Sequence, residues 1–186
     1  MIIGICGYKQ SGKDTLGKYF IDNLGFIRVA FADPLKEACR CIFGFNDEQL
    51  YGDKKETEDE FWKVSPRVVL QYVGTDLCRN QLEYIIPHLG KDIWIESARK
   101  TIQKIISENK NANIVITDCR FPNEIEMIKK LGGTVIRITR KSISSSDMHA
   151  SELHIATLKV DYEVGNDGTI CDLYEKGSEI YSNIKL

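Results

Sequence analysis

One stretch, Gly7-Tyr8-Lys9-Gln10-Ser11-Gly12-Lys13-Asp14-Thr15, limits what this chain can fold into. An apolar run, Met1 to Cys6, precedes it, and a helical pattern, Leu16 to Leu24, follows. Strand, glycine loop, lysine and helix in that order turn G-x-x-x-x-G-K into a phosphate-binding loop. Gly7 and Gly12 let the backbone curl so that several N–H groups converge. The new helix adds the positive end of its dipole there, and Lys13 adds a full charge. A polyphosphate is the ligand such a loop suits. The pattern departs from the common form at Asp14, where a Ser or Thr usually ligates magnesium. The hydroxyl comes one residue later, at Thr15, as in the G-K-x-T spelling. Thr15 then reaches phosphate or a magnesium-bound water. Asp14 is either a metal-side carboxylate or an acid favoured by the helix N-terminus. The sequence leaves these open.

The remaining chain reads as strands alternating with helices. Strands are expected at Ile2–Cys6, Phe26–Ala32, Asn113–Thr117, Thr134–Thr139 and Tyr162–Gly165. Helices are expected at Leu16–Leu24, from Leu35 to about Phe43, from Ser65-Pro66 to about Tyr84, and at Asp92–Ser107. Others follow at Phe121–Leu131, Ala150–Leu158 and Asp167–Ile184. Asp33 is the expected cap of the second helix, with Pro34 at its first position. The alternation predicts an α/β fold, three layers with a five-stranded parallel sheet between helices. The 186 residues give room for one domain, 1–186, with a sizeable core. Residues 46–65 are polar and acidic and read as a mobile insertion or loop.

Bulk properties exclude several classes. A net charge of -2 supplies no global basic field for nucleic acid. No apolar stretch approaches membrane-spanning length, and the chain opens on a strand rather than a signal peptide. Cysteines at 6, 39, 41, 78, 119 and 171 form no C-x-x-C pair. Zinc is therefore not expected, and free thiols in a reducing cytoplasm are.

Ligands of open α/β sheets collect beyond the carboxyl ends of the strands. Asp118-Cys119-Arg120 lies at such an end. Asp118 is placed to hold magnesium directly or through water, or to cap the following helix, and Arg120 lies near a transferring phosphoryl group. Asp33 and Lys36, after the second strand, are placed for a second substrate. Arg67, Gln71, Thr75 and Arg79 recur every four residues and share one helix face, a candidate binding stripe. Gly74 within that pattern hints at close packing. Arg140 opens the segment between strands four and five, a natural lid at about 140–160 that also holds His149 and Glu152. Abundant cations without an obvious nucleophile–base pair suit phosphoryl transfer, which needs alignment and charge neutralisation. A phosphate acceptor with a pKa of about 6, as for phosphoserine, needs no general base.

The ordered set of motifs resembles the bacteriophage deoxynucleoside monophosphate kinases, within the P-loop nucleoside monophosphate kinase group. It comprises Ser11-Gly12-Lys13-Asp14-Thr15, Ala32-Asp33-Pro34-Leu35-Lys36, Leu70 to Asp76 with Arg79 and Trp94, Thr117-Asp118-Cys119-Arg120 with Glu124, Gly132 to Ile136 with Arg140, His149 with Glu152, and Asn166-Asp167-Gly168-Thr169. The resemblance implies transfer of the ATP γ-phosphoryl group to a deoxynucleoside 5′-monophosphate, with Mg²⁺. It places Arg67, Gln71 and Arg79 on the acceptor, Lys13 and Arg120 on the phosphates, and Arg140 and Asn166 on the ATP side. Catalysis is expected of Lys13, Asp118 and Arg120. Gly7, Ser11, Gly12, Lys13, Asp14 and Thr15 are expected to bind ATP, and Thr15 and Asp118 the metal. Asp33 and Lys36 join the acceptor side, in a helical insertion of roughly residues 33–91. The expected partners are ATP and the monophosphate, with no nucleic acid and no membrane; a homodimer is left open. The expected location is the cytoplasm, a host's if the chain is phage-encoded. Two alternatives remain: a dephospho-CoA kinase-like enzyme with Asp33 as base, and a nucleotide-binding switch with little turnover.

Overall fold

The computed structural model describes residues 1–87, 89, 92–141 and 155–185. The chain divides into two compact units: Met1–Ala30 with Arg99–Leu186, and Phe31–Ala98.

The first unit is built on a five-stranded sheet. Its strands are β1 (Ile2–Gly7), β2 (Ile27–Val29), β3 (Ile114–Cys119), β4 (Thr134–Thr139) and β5 (Tyr162–Gly165), in the order β2-β3-β1-β4-β5. All four pairings are parallel. The apolar sequence of β1 follows from its place: the central strand is buried along its whole length. On one face Ile3 and Ile5 of β1 pack with Leu16 and Phe20 of α1 (Lys13–Leu24) and Leu173 and Ile180 of α8 (Ile170–Lys185). The helix α7 (Pro122–Lys130) contacts β1 and β4. Gly25 closes α1 in the left-handed region, φ 67°, its N–H bonded to Ile21 O at 3.2 Å.

The second unit corrects two expectations. Residues 46–65 form an ordered, hydrogen-bonded segment, with α3 (Asp47–Leu50) and a 3₁₀ turn (Asp53–Glu56). Asn46 and Gln49 make a reciprocal capping box, each side chain bonded to the other's backbone N–H at 3.1 and 3.0 Å. Asp59 accepts from Gln49 Nε2, Phe61 N and Trp62 N, which holds its carboxyl below the usual range. Trp62 Nε1 bonds to Phe43 O at 2.8 Å, at the end of α2 (Asp33–Phe43). Most of its acidic residues are solvent-exposed as expected, and Asp59 is the half-buried one that braces the segment.

The expected helix to Tyr84 starts as foreseen, with Ser65 Oγ accepting from Val68 N at α4 (Pro66–Gln71). It then passes into a π segment, Tyr72–Gln81, and returns to α-helix in α5 (Leu82–Ile85). The π hydrogen bonds run from residue i to i+5 and widen the turn, so the uniform α-helix expected through this stretch is interrupted. Gly74 sits at the reorganised part. Its carbonyl accepts from the buried Trp94 Nε1 at 2.9 Å, on α6 (Ile93–Glu108). A Cβ at Gly74 would come within 2.5 Å of Leu35 Cδ2, which accounts for the absent side chain. In α2, Asp33 is the first helical residue and Ala32 the cap, one position from expectation.

Candidate active site at the carboxyl edge of the sheet

Four features meet at the carboxyl ends of the first unit's strands: the glycine loop after β1, Asp118 to Arg120 at β3, Arg140 after β4 and Asn166 after β5. Gly12 is the N-cap of α1 with φ 103° and ψ 8°, a conformation open to glycine and costly to other residues. It has no side chain to cap the helix, so the first-turn N–H groups are left for a ligand. Lys13 is the first helical residue and only 9% exposed, its Nζ 3.8 Å from the exposed Asp14 carboxylate. Asp14 thus meets the lysine charge and the positive helix end together.

Ser11 serves the loop itself. Its side chain is fully enclosed, with Oγ so near Gly7 that a Cβ there would lie 2.5 Å away. Its N–H bonds to Tyr8 O at 3.1 Å, and its carbonyl accepts from Asn166 Nδ2 at 2.9 Å. The hydroxyl has no hydrogen-bond partner among the described residues. The side chain of Asn166 is therefore turned to the loop backbone.

At β3 the pairing slips: Gly4 pairs with Ile116, but Cys6 with Cys119. Thr117 and Asp118 thus both stand opposite Ile5, an irregularity that re-aims side chains and is common beside functional sites. Asp118 is half-buried there. Thr117 underlies α1, where a Cβ on Gly17 would meet its Cγ2 at 2.6 Å. The helix-cap alternative for Asp118 is corrected: the cap of α7 is Phe121, and the carboxylate serving that end is Glu124. Glu124, 2% exposed, accepts from Arg120 N at 2.7 Å and Phe121 N at 3.1 Å. It fixes the turn that carries Arg120. The sequence marked Glu124 as part of the motif with Asp118 and Arg120 but did not show this role.

Cys6 and Cys119 flank these groups without supplying a nucleophile. Burial pushes the Cys6 thiol up to about 11 and the Cys119 thiol well above its usual value. Arg137 moderates the first, and Glu124 and Asp118 add to the second. Neutral thiols are poor nucleophiles.

Arg140 is exposed. The central part of the segment expected to form a lid, with His149 and Glu152, lies outside the described residues. In the second unit, Arg67 is tied to Glu56 by a 3.0 Å ion pair. Lys36 Nζ lies 3.9 Å from the centre of the Tyr51 ring. Gln71, Arg79 and Asp33 are half-buried on α4, the π segment and α2.

A magnesium ion suits the donors at the sheet edge. Such an ion binds through one or two carboxylates with phosphate oxygens and retained waters, and the half-buried Asp118 carboxylate is of that kind. Among the described residues no group of three or more His, Cys, Asp or Glu could form a metal cage. No helix among them is long and apolar enough to cross a membrane.

Residues 46–177 match the family model for deoxynucleotide monophosphate kinase. A protein of Acanthamoeba polyphaga mimivirus that carries the same family name is 45% identical over 180 residues, 95% of this chain and 93% of that protein. The deoxynucleoside-5′-monophosphate kinase of Escherichia phage T5 is 30% identical over 165 residues, 84% of this chain and 59% of the phage protein. Among solved structures, the shikimate kinase of Bacteroides thetaiotaomicron superposes with a TM-score of 0.51 at 14% identity, covering 98% of each chain. That likeness concerns the fold.

Proposed function

We infer the reaction from one premise: the chain belongs to the deoxynucleotide monophosphate kinase family. The reaction moves the γ-phosphoryl group of ATP to the 5′-phosphate of a deoxynucleoside monophosphate, giving a diphosphate and ADP. The observation that carries this reading is the uncapped start of α1, with Lys13 held against it. Gly7, Gly12, Lys13 and Thr15 bind the ATP phosphates, and Arg140 extends the ATP side. Asp118 and Thr15 hold Mg²⁺ with the phosphates, directly or through water. When bound, the ion would offset the negative charge of the phosphates. Lys13 and Arg120 stabilise the charge spread over the equatorial oxygens during transfer. An acceptor phosphate ionised at neutral pH attacks without a general base.

The second unit carries the acceptor side through Asp33, Lys36, Gln71 and Arg79. Arg67 contributes less directly, because Glu56 already engages it. Arg79→Ala is expected to raise the acceptor KM about tenfold or more, the loss of a charge-assisted hydrogen bond, with the ATP KM nearly unchanged. Steady-state kinetics with each substrate varied in turn checks this. An ATP KM that rises more than the acceptor KM would move Arg79 to the other side.

The reading as a whole is tested by incubating the chain with ATP, Mg²⁺ and each common ribo- and deoxynucleoside monophosphate. Formation of ADP with a deoxynucleoside diphosphate supports it. ADP formed equally without any acceptor counts against it.

A further inference from the structure

We propose that Asn166 is a positioning residue that locks one peptide of the phosphate loop, rather than a group that touches ATP. The inference rests on the reading of that loop as the polyphosphate site. Asn166 follows β5, and its backbone N–H closes the sheet on Thr139 O at 2.8 Å. Its side chain crosses to the loop, where Nδ2 donates to Ser11 O at 2.9 Å. The carbonyl can only accept, so the amide nitrogen must be the end that faces it.

The peptide joining Ser11 to Gly12 is planar and trans, so its C=O and N–H point in opposite directions. Holding the Ser11 carbonyl toward Asn166 therefore holds the Gly12 N–H away from Asn166. In a loop curled to collect N–H groups, that direction is the phosphate side. Without the lock, Gly12 has the freedom to let the peptide turn over. The turned peptide would put a carbonyl oxygen, not a donor, against an anionic ligand.

Two further observations fit. The carboxamide lies on Gly12 so closely that a Cβ there would run into Nδ2. Gly12 is thus required by its φ of 103° and by the strut. The turn bearing Asn166 is itself braced. Asp167 Oδ1 accepts from Lys141 N at 2.8 Å, and Thr169 and Asp172 cap α8 reciprocally at 2.7 and 3.2 Å.

A strut and an ATP contact predict different ligand dependence. A strut orders a phosphate donor, so its loss weakens any polyphosphate, with or without a nucleoside. The test compares wild type, Asn166→Ala and Asn166→Asp by calorimetric titration with Mg-free ATP and with inorganic tripolyphosphate. Asn166→Ala is expected to weaken both ligands by the same factor, about tenfold. Asn166→Asp, nearly isosteric, sets a carboxylate against the Ser11 carbonyl and near the anion, so its loss should be larger. It also keeps the test usable if the alanine variant folds poorly. The acceptor KM should stay at its wild-type value in both, which general destabilisation would not ensure. Weaker ATP binding with tripolyphosphate unaffected would overturn the proposal in favour of a nucleoside contact, and unchanged binding of both would overturn it outright. A wild type that binds neither ligand brings down the phosphate-loop reading, and the strut with it.

Discussion

Lys13→Met lowers kcat by about a thousandfold, the scale for removing a fixed donor from a charge-developing transition state. The substitution keeps the apolar stem and removes the ammonium, so packing at this 9% exposed position is largely retained. The loss concentrates in kcat if Lys13 follows the γ-phosphoryl group through transfer, and spreads to the ATP KM if it grips the ground state equally. Asp14 becomes a test of the local electrostatics. With the lysine gone, its carboxylate faces the polyphosphate uncompensated, 3.8 Å from where the charge stood. The double variant Lys13→Met, Asp14→Asn should therefore bind ATP better than the single variant. Thermal denaturation checks that the fold survives. Turnover within tenfold of wild type in a folded Lys13→Met protein would remove the loop from the mechanism.

Arg120→Ala is expected to reduce kcat by roughly a hundredfold to a thousandfold, with little change in either KM. Arg120 lies on a turn whose backbone N–H is fixed by the buried Glu124 at 2.7 Å. A guanidinium on a rigid turn loses little entropy when it meets a phosphoryl group, and its planar fork matches the oxygens. Arg120→Lys supplies charge without the fork and should recover only part of the rate. Full recovery by lysine would show that charge alone is required there. A KM effect without a kcat effect would place Arg120 in ground-state binding.

The parts of this account legible in the sequence share a physical cause. Gly7, Gly12 and Lys13 are spaced by the needs of a backbone curl, and β1 is apolar because both its faces are covered. Those constraints act on neighbouring residues, so the sequence records them. The strand ends holding Asp118, Arg140 and Asn166 followed from the alternation of strands and helices. Residues 46–65 misled because their order comes from side chains bonding to backbone, as Asp59 does to Phe61 and Trp62. Such bonds leave no apolar period and look like solvated charge. The π segment was not foreseen because Arg67, Gln71 and Arg79 keep the same four-residue spacing in sequence whether the backbone bonds in the α or the π pattern. Gly74 gave the hint of close packing, and the partner of its carbonyl, Trp94, lies 20 residues away. Asn166 was expected on ATP, yet its side chain is used 155 residues back, on Ser11. Glu124 was marked in the motif with Asp118 and Arg120, but its role was not, because a buried carboxylate serving two backbone N–H groups reads in sequence as one more acid of a helix.

The central claim is that the phosphoryl group leaves ATP for another phosphate, and the fate of the γ-phosphate tests it most directly. The protein is incubated with Mg²⁺, ATP labelled at the γ-position and a deoxynucleoside monophosphate, and the products are separated. The account predicts label in the β-position of a deoxynucleoside diphosphate, one for each ADP formed, and loss of that product with Lys13→Met. Label recovered as free phosphate, or on a sugar hydroxyl of the acceptor, would contradict it.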